Sequence, residues 1–143
     1  MAGSLVPLPH PPENDVSQNK LGYLILCDGH SKVGGKDCIL GVFNRIFVQR
    51  FPAQHEQCFL AFELWTAPGD HELKVKIMDT DGADIVPPLG PLKMQVSQVG
   101  QGSGAIQLKG LPLTKQGIYS FVMVVDGEDI GARDLFVETV PKA

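Results

Sequence analysis

The densest group of oxygen ligands in the sequence is Asp79-x-Asp81-Gly82-x-Asp84. Calcium takes several carboxylate oxygens from one tight loop. An EF-hand, however, carries three acidic positions before its glycine and closes on a glutamate. Here Gly82 follows the second aspartate and no glutamate closes the loop. Aspartates also favour turns because their carboxylates accept bonds from nearby backbone N–H groups. The expectation is a β-turn with no metal, although the residue types alone leave cation binding at Asp79, Asp81 and Asp84 open. A second acidic turn, Asp126, Glu128 and Asp129, joins it only if the fold brings the two ends together.

Cys27, Asp28 and His30 suggest thiol chemistry. A nucleophilic cysteine needs a base within hydrogen-bond reach and a third group to orient that base. These three sit at the end of an apolar run, where a strand sends near neighbours to opposite faces. No nucleophile elbow accompanies them, so no catalytic residue is expected. His10, His30, His55 and His71 are dispersed at spacings unlike any zinc pattern. His71 follows Pro68-Gly69 and is placed to orient that turn by hydrogen bonding; His55 is expected in a loop after Phe51-Pro52. Gly100-Gln101-Gly102-Ser103-Gly104 lacks the Lys-Ser/Thr and the helix of a phosphate cradle, and reads as a flexible connection. No cofactor is expected. Trp65, the single tryptophan, is either a lid on the core or a stacking platform for a sugar.

The stretch Asn44-Arg45-Ile46-Phe47-Val48-Gln49-Arg50-Phe51-Pro52 mixes aromatics with arginine. It reads as an edge strand that buries its aromatics, with a homotypic or partner contact along it, because unpaired edges recruit strands. Nucleic acid is not expected. The chain has 12 Lys and Arg against 16 Asp and Glu, a net charge of -4, whereas phosphate neutralisation needs a basic surplus. No membrane segment is expected either: the longest apolar runs, such as Phe121–Val125, fall far short of the ~20 residues of a span. The first residues carry four prolines and no apolar leader core, and three cysteines (Cys27, Cys38, Cys58) are an odd number with no CxxC. Secreted domains more often pair all their cysteines, so free, buried thiols in a cytoplasmic protein are expected.

The elements that would position these residues have period two. Leu73, Val75 and Ile77 alternate with Lys74, Lys76 and Met78, as do Leu92, Met94 and Val96 with Lys93, Gln95 and Ser97. One face of each strand meets a core and the other meets water. Leu21–Cys27, Ile39–Val48, Cys58–Trp65, Ile118–Val125 and Asp134–Val140 are more fully apolar and belong in the middle of sheets or under the N-terminal tail. Ala67-Pro68-Gly69-Asp70, Asp79–Gly82 and Asp126-Gly127 are turn signals, while Gly34-Gly35, Pro87–Pro91 and Gly100–Gly104 read as breaks. No helical period occurs. With 143 residues the chain is one domain on a length prior: a Pro-rich tail, residues 1–19, disordered or extended, and a β-sandwich over residues 20–143. The expected fold class is all-β, an immunoglobulin-like Greek-key sandwich of about eight strands.

One segment is more specific. Leu111-Pro112-Leu113-Thr114-Lys115-Gln116-Gly117-Ile118-Tyr119 leads into an apolar strand and resembles the tyrosine corner of Greek-key sandwiches. Residues 21–140 as a whole resemble a functionally uncharacterised family of short bacterial sandwich proteins of immunoglobulin-like or fibronectin-III-like type. The resemblance is carried by the opening strand ending Cys27-Asp28, by Cys38-Ile39-Leu40-Gly41-Val42-Phe43, by Ala67–Gly82 and by Gly117–Gly127. Each is a strand or a turn, so the resemblance implies a fold and transfers no site residues. The functional expectation is a non-catalytic binding or assembly module, with an unknown protein partner or self-association. The alternative is a small-ligand or carbohydrate receptor using sandwich-end loops, which requires Trp65 beside the Asp79–Asp84 turn.

Overall fold

The computed structural model describes residues 19–141; the proline-rich segment read as a tail, with His10, lies outside them apart from Asn19. The described chain is all-β. Nine strands form it: β1 (Lys20–Val33), β2 (Lys36–Phe43), β3 (Arg45–Val48), β4 (Ala53–Trp65), β5 (Gly69–Met78), β6 (Leu89–Val96), β7 (Gln101–Leu113), β8 (Gly117–Val125) and β9 (Glu128–Thr139). One sheet has the order β2-β1-β4-β7 and the other β3-β9-β8-β5-β6. Every pairing is antiparallel except β3 with β9, which is parallel.

Nine strands replace about eight because the apolar run Ile39–Val48 is two elements. Phe43 packs on the core, and so do Ile46 and Val48. The inward period therefore slips by one residue at Asn44, which is what changing sheets requires. The Phe136 N–H donates to the Asn44 carbonyl at 2.8 Å and fixes the crossing. Two expected breaks are strand instead. Gly102–Gly104 lie within β7, because a neighbour takes the room a side chain would need. The Met94 side chain fills the Cβ position of Gly102, and the Phe62 ring sits 3.5 Å from that of Gly104. Strand β6 likewise starts at Leu89, with Gly90 at φ 111 where its Cβ would meet the Leu73 carbonyl oxygen at 2.6 Å. His55, expected in a loop, is in β4.

The core fills the space between the sheets. Leu26, Leu60, Leu64 and Leu108 from one sheet meet Val75, Ile77, Phe121, Val125 and Leu135 from the other. Each such side chain contributes roughly 2 kcal/mol by leaving water. Strand β8, central in its sheet, is buried over Phe121–Val125. At its start the fully buried Tyr119 hydroxyl donates to the Lys115 carbonyl at 2.7 Å and accepts from the Lys115 N–H at 3.3 Å. That is the tyrosine corner, and its role is structural.

The first hairpin departs from a plain sandwich. β1 pairs with β4 only through Cys27, then continues with β2 alone as a two-stranded arm tipped by Gly34-Gly35. In the arm, Asp37 accepts a 2.6 Å bond from the Ser103 hydroxyl of β7. β2 and β7 are opposite edges of the sheet, separated by two strands, or about 14 Å. Contact between them requires the arm to fold across a sheet face. Ser103 opposes Glu63, whose neighbours Phe62 and Leu64 face the core, so the covered face is the outer one. Cys27 and Ala61 lie on that face by alternation and are nonetheless fully buried. The bend is at Asp28 and Gly41: Gly41 has φ 67, and a Cβ there would stand 2.6 Å from an Asp28 carboxylate oxygen.

Candidate functional site

The arm brings together the first set of polar groups. His30 Nε2 bonds one Asp37 oxygen at 2.8 Å, the Ser103 hydroxyl bonds the other, and Lys32 stands 3.8 Å away. Serine, aspartate and histidine are present, but aspartate sits in the middle. Nucleophile activation needs histidine between serine and acid, so His30 has no route to the Ser103 proton. The Ser103 hydroxyl foremost, then His30 and Lys32, hold the Asp37 carboxyl below its usual range. Cys27 faces away from His30: the pairing Cys27–Val42 and His30–Ile39 puts them on opposite sides of the hairpin. Burial raises the Cys27 thiol and, with Cys27 and Asp28 nearby, pushes Cys58 up to about 12. A buried thiol held protonated is a poor nucleophile. All three cysteines are free. Asp37 and Ser103 carried no sequence signal, because 66 residues separate them.

The Asp79–Asp84 turn is built from its own carboxylate. Asp79 Oδ1 accepts from the N–H groups of Asp81 at 2.9 Å and Ala83 at 3.0 Å. Those bonds, from Ala83 first, lower the Asp79 carboxyl, and Lys115 adds to the effect from 3.7 Å while also bonding Asp81. The Asp79 and Asp81 carboxylates thus face backbone donors and a lysine, which compete with any cation. The second acidic turn lies elsewhere: Asp126-Gly127 closes the β8–β9 hairpin, both residues at positive φ (50 and 83), as a type I′ turn requires.

Asp126 has a second task. Its Oδ1 accepts from the Glu72 N–H at 2.9 Å, and its Oδ2 lies 2.6 Å from His71 Nδ1. The other ring nitrogen, His71 Nε2, lies 2.6 Å from the Ala67 carbonyl. A carbonyl and an ionised carboxylate only accept, so a ring satisfying both carries both protons and is an imidazolium. Burial opposes that charge, but Asp126 and Ala67 outweigh it and raise the His71 pKa above its ordinary value. The Glu72 N–H and His71 in turn lower Asp126. His71 therefore orients the Pro68-Gly69 turn and ties it to the β8–β9 hairpin. A cavity of about 270 Å³ opens beside it, lined by Asp70, Glu72 and Lys93.

Trp65 is half-buried at the end of β4 and donates from Nε1 to Glu63 at 2.9 Å. It does not meet the acidic turn. Trp65 stands before β5 and Asp79 after it, and ten residues of strand span about 30 Å. Within Asn44–Pro52, Ile46, Val48 and Phe51 pack against the core, whereas Phe47 is 50% exposed, so one of the two aromatics expected inward is outward. The cause is the register set by the sheet crossing at Asn44. A hollow of about 210 Å³ lies beside β3, lined by Asp28, Phe43, Arg45, Ile46 and His55. A wider one, about 580 Å³, runs between the start of β1 and the β8–β9 hairpin. Among the described residues no group of three His, Cys, Asp or Glu side chains is arranged to hold a metal ion, and no helix is long and apolar enough to cross a membrane.

No curated protein matches the sequence. Among solved structures, the chain is similar in fold to part of the Pseudomonas fluorescens alkylpurine DNA glycosylase AlkC bound to DNA containing an abasic site analogue. The TM-score is 0.53 and the identity 13%; the match covers 86% of this chain but 31% of that one. At that identity the likeness concerns the fold alone. The family model described as "Family of unknown function (DUF6941)" matches residues 22–138, essentially the whole two-sheet body, and the chain therefore belongs to that family.

Proposed function

We propose that this domain is a non-catalytic binding and assembly module with immunoglobulin-like Greek-key topology. The strand orders support the topology. β1, β4 and β7 take the places of strands A, B and E, and β5, β6, β8 and β9 those of C, C′, F and G. β3 serves as an A′ strand parallel to the last, β2 is an addition, and the Tyr119 corner stands at the start of F. The bacterial source implied by the family resemblance, and a cytoplasmic location consistent with three free cysteines, belong to the same reading.

The observation that carries the binding role is the arm. Val33, Leu40 and Val42 are its most exposed apolar side chains, at 61%, 69% and 56%. The register puts all three on one side of the hairpin. A folded-over hairpin with an apolar row left open offers area that association would remove from water. With a net charge of -4, a protein or a second copy fits that row better than nucleic acid or an anionic membrane. Light scattering over a concentration series tests the self-association form. The wild type is expected to reach a multiple of its 15.5 kDa mass, and Leu40→Asp with Val42→Asp to stay monomeric. A wild type that remains monomeric throughout removes the assembly role. A melting shift of several degrees with calcium or a nucleotide would overturn the non-catalytic reading.

A further inference from the structure

We propose that the open edge of β3 and the hollow beside it form a docking groove for an extended segment of a partner protein bearing a lysine or arginine side chain. This goes beyond the arm's role and does not depend on it. β3 is the edge of its sheet and pairs only with β9 among the described strands. Asn44 accepts from Phe136 of β9, and Val48 from Val140 just past its end. Parallel pairing uses alternate residues of each strand. Arg45 and Phe47 therefore aim their N–H and C=O groups away from the sheet, where an added strand would meet them. Edges are ordinarily blunted by proline, charge, cover or shortness; β3 is four residues long, its one charge, Arg45, is drawn to Glu138, and it leaves Phe47 half-exposed.

Charge selects the occupant. The hollow at this edge contains one acid, Asp28, and one permanent cation, Arg45. The Arg45 guanidinium is already answered: it bonds Glu138 at 2.6 Å and lies 5.4 Å over the Phe136 ring. Asp28 has no ion-pair partner among the described residues. The hollow therefore keeps an uncompensated negative charge. Its wall includes Phe43 and His55, ring centroids 5.8 Å apart, and His55 Nε2 is sealed from solvent with no partner. An ammonium or guanidinium entering there gains a carboxylate and two aromatic surfaces. In an added strand alternate side chains take opposite sides. One would reach the hollow while the next packs on Phe47. Residues 1–18 contain no lysine or arginine, so that segment cannot supply the cation, and the charge of -4 favours a basic partner.

The test is fluorescence anisotropy with a short fluorescein-labelled peptide of alternating valine and threonine carrying one central lysine. Control peptides carry glutamine in its place, or N-methyl groups on alternate amides. The lysine peptide is expected to bind about tenfold tighter than the glutamine peptide. Asp28→Asn, isosteric and at an exposed position, should abolish that preference, and N-methylation should abolish binding. Equal affinity for lysine and glutamine peptides, an unchanged preference in Asp28→Asn, or no binding of any peptide would each overturn the proposal. Leu40→Asp with Val42→Asp should bind the lysine peptide like the wild type, which separates this groove from the arm.

Discussion

Replacing His71 by alanine removes a charged link between two loops. The imidazolium donates to the Ala67 carbonyl and to the Asp126 carboxylate, both at 2.6 Å. A bond to a charged partner contributes about 1.5–3 kcal/mol and an ordinary one about 1 kcal/mol. The His71 side chain is 10% exposed but that of Asp126 is 45% exposed, so solvent screens part of the first. About 2 kcal/mol remains, or a Tm lower by roughly 6–8 °C in a domain of this size. The loss is pH-dependent. His71 has a raised folded-state pKa, so its contribution is complete below the unfolded value near 6.5 and fades as pH rises through the folded value. Asp126 has a lowered one, so its contribution holds above about 3.8 and fades as pH falls through the folded value. The other charged groups facing the site are Asp70, Glu72 and Lys93. Differential scanning calorimetry of wild type and His71→Ala at about pH 5.5 and about pH 9 measures the gap, which should be several-fold larger at the lower pH. An equal gap at both, or an NMR titration placing His71 below its ordinary value, would refute the assignment of an imidazolium.

Tyr119→Phe leaves the backbone N–H and C=O of Lys115 without their partner and should cost about 1–3 kcal/mol in urea unfolding, with the far-ultraviolet spectrum unchanged; a cost under about 0.5 kcal/mol would deny the corner its role. Asp37→Ala with Lys32→Ala removes both side chains of the arm that bond Ser103 of β7, so iodoacetamide labelling of Cys27, read by mass spectrometry, should accelerate at least about tenfold because labelling follows local opening; an unchanged rate means something other than these bonds keeps that thiol sealed. In the wild type, the lowered Asp37 pKa means the arm's anchor holds above about 3.8 and loosens as pH falls through the folded-state value, so the protection factors of β2 amides, taken against the intrinsic exchange rate at each pH, should fall on acidification while those of β8 do not.

Strand alternation made most of the two sheets legible, because Leu73, Val75 and Ile77, or Ile106 and Leu108, announce their inward face directly. The tyrosine corner was legible because a glycine, a tyrosine and an apolar strand follow in order. His71 was legible as an orienter of its turn, since Ala67 is four residues away; its bond to Asp126, 55 residues on, was not. What escaped was set by contacts between distant segments. Nothing local marks Asn44 as the point where the chain changes sheets, and the glycines of β7 read as breaks because their missing side chains are filled by Met94 and Phe62. The arm's fold-over depends on Asp37 meeting Ser103, and the hollow at β3 gathers Asp28, Arg45 and His55 from three strands.

The hairpin tip has one practical consequence. At Gly34 and Gly35 a side chain would meet nothing within 4 Å, and the two residues lie beyond the last ties of Lys32 and Asp37. Lengthening a loop whose ends are already fixed costs little conformational entropy. An epitope tag or a small fluorescent reporter spliced between Gly34 and Gly35 would ride on the outside of the molecule, leaving both chain termini free and the interior undisturbed.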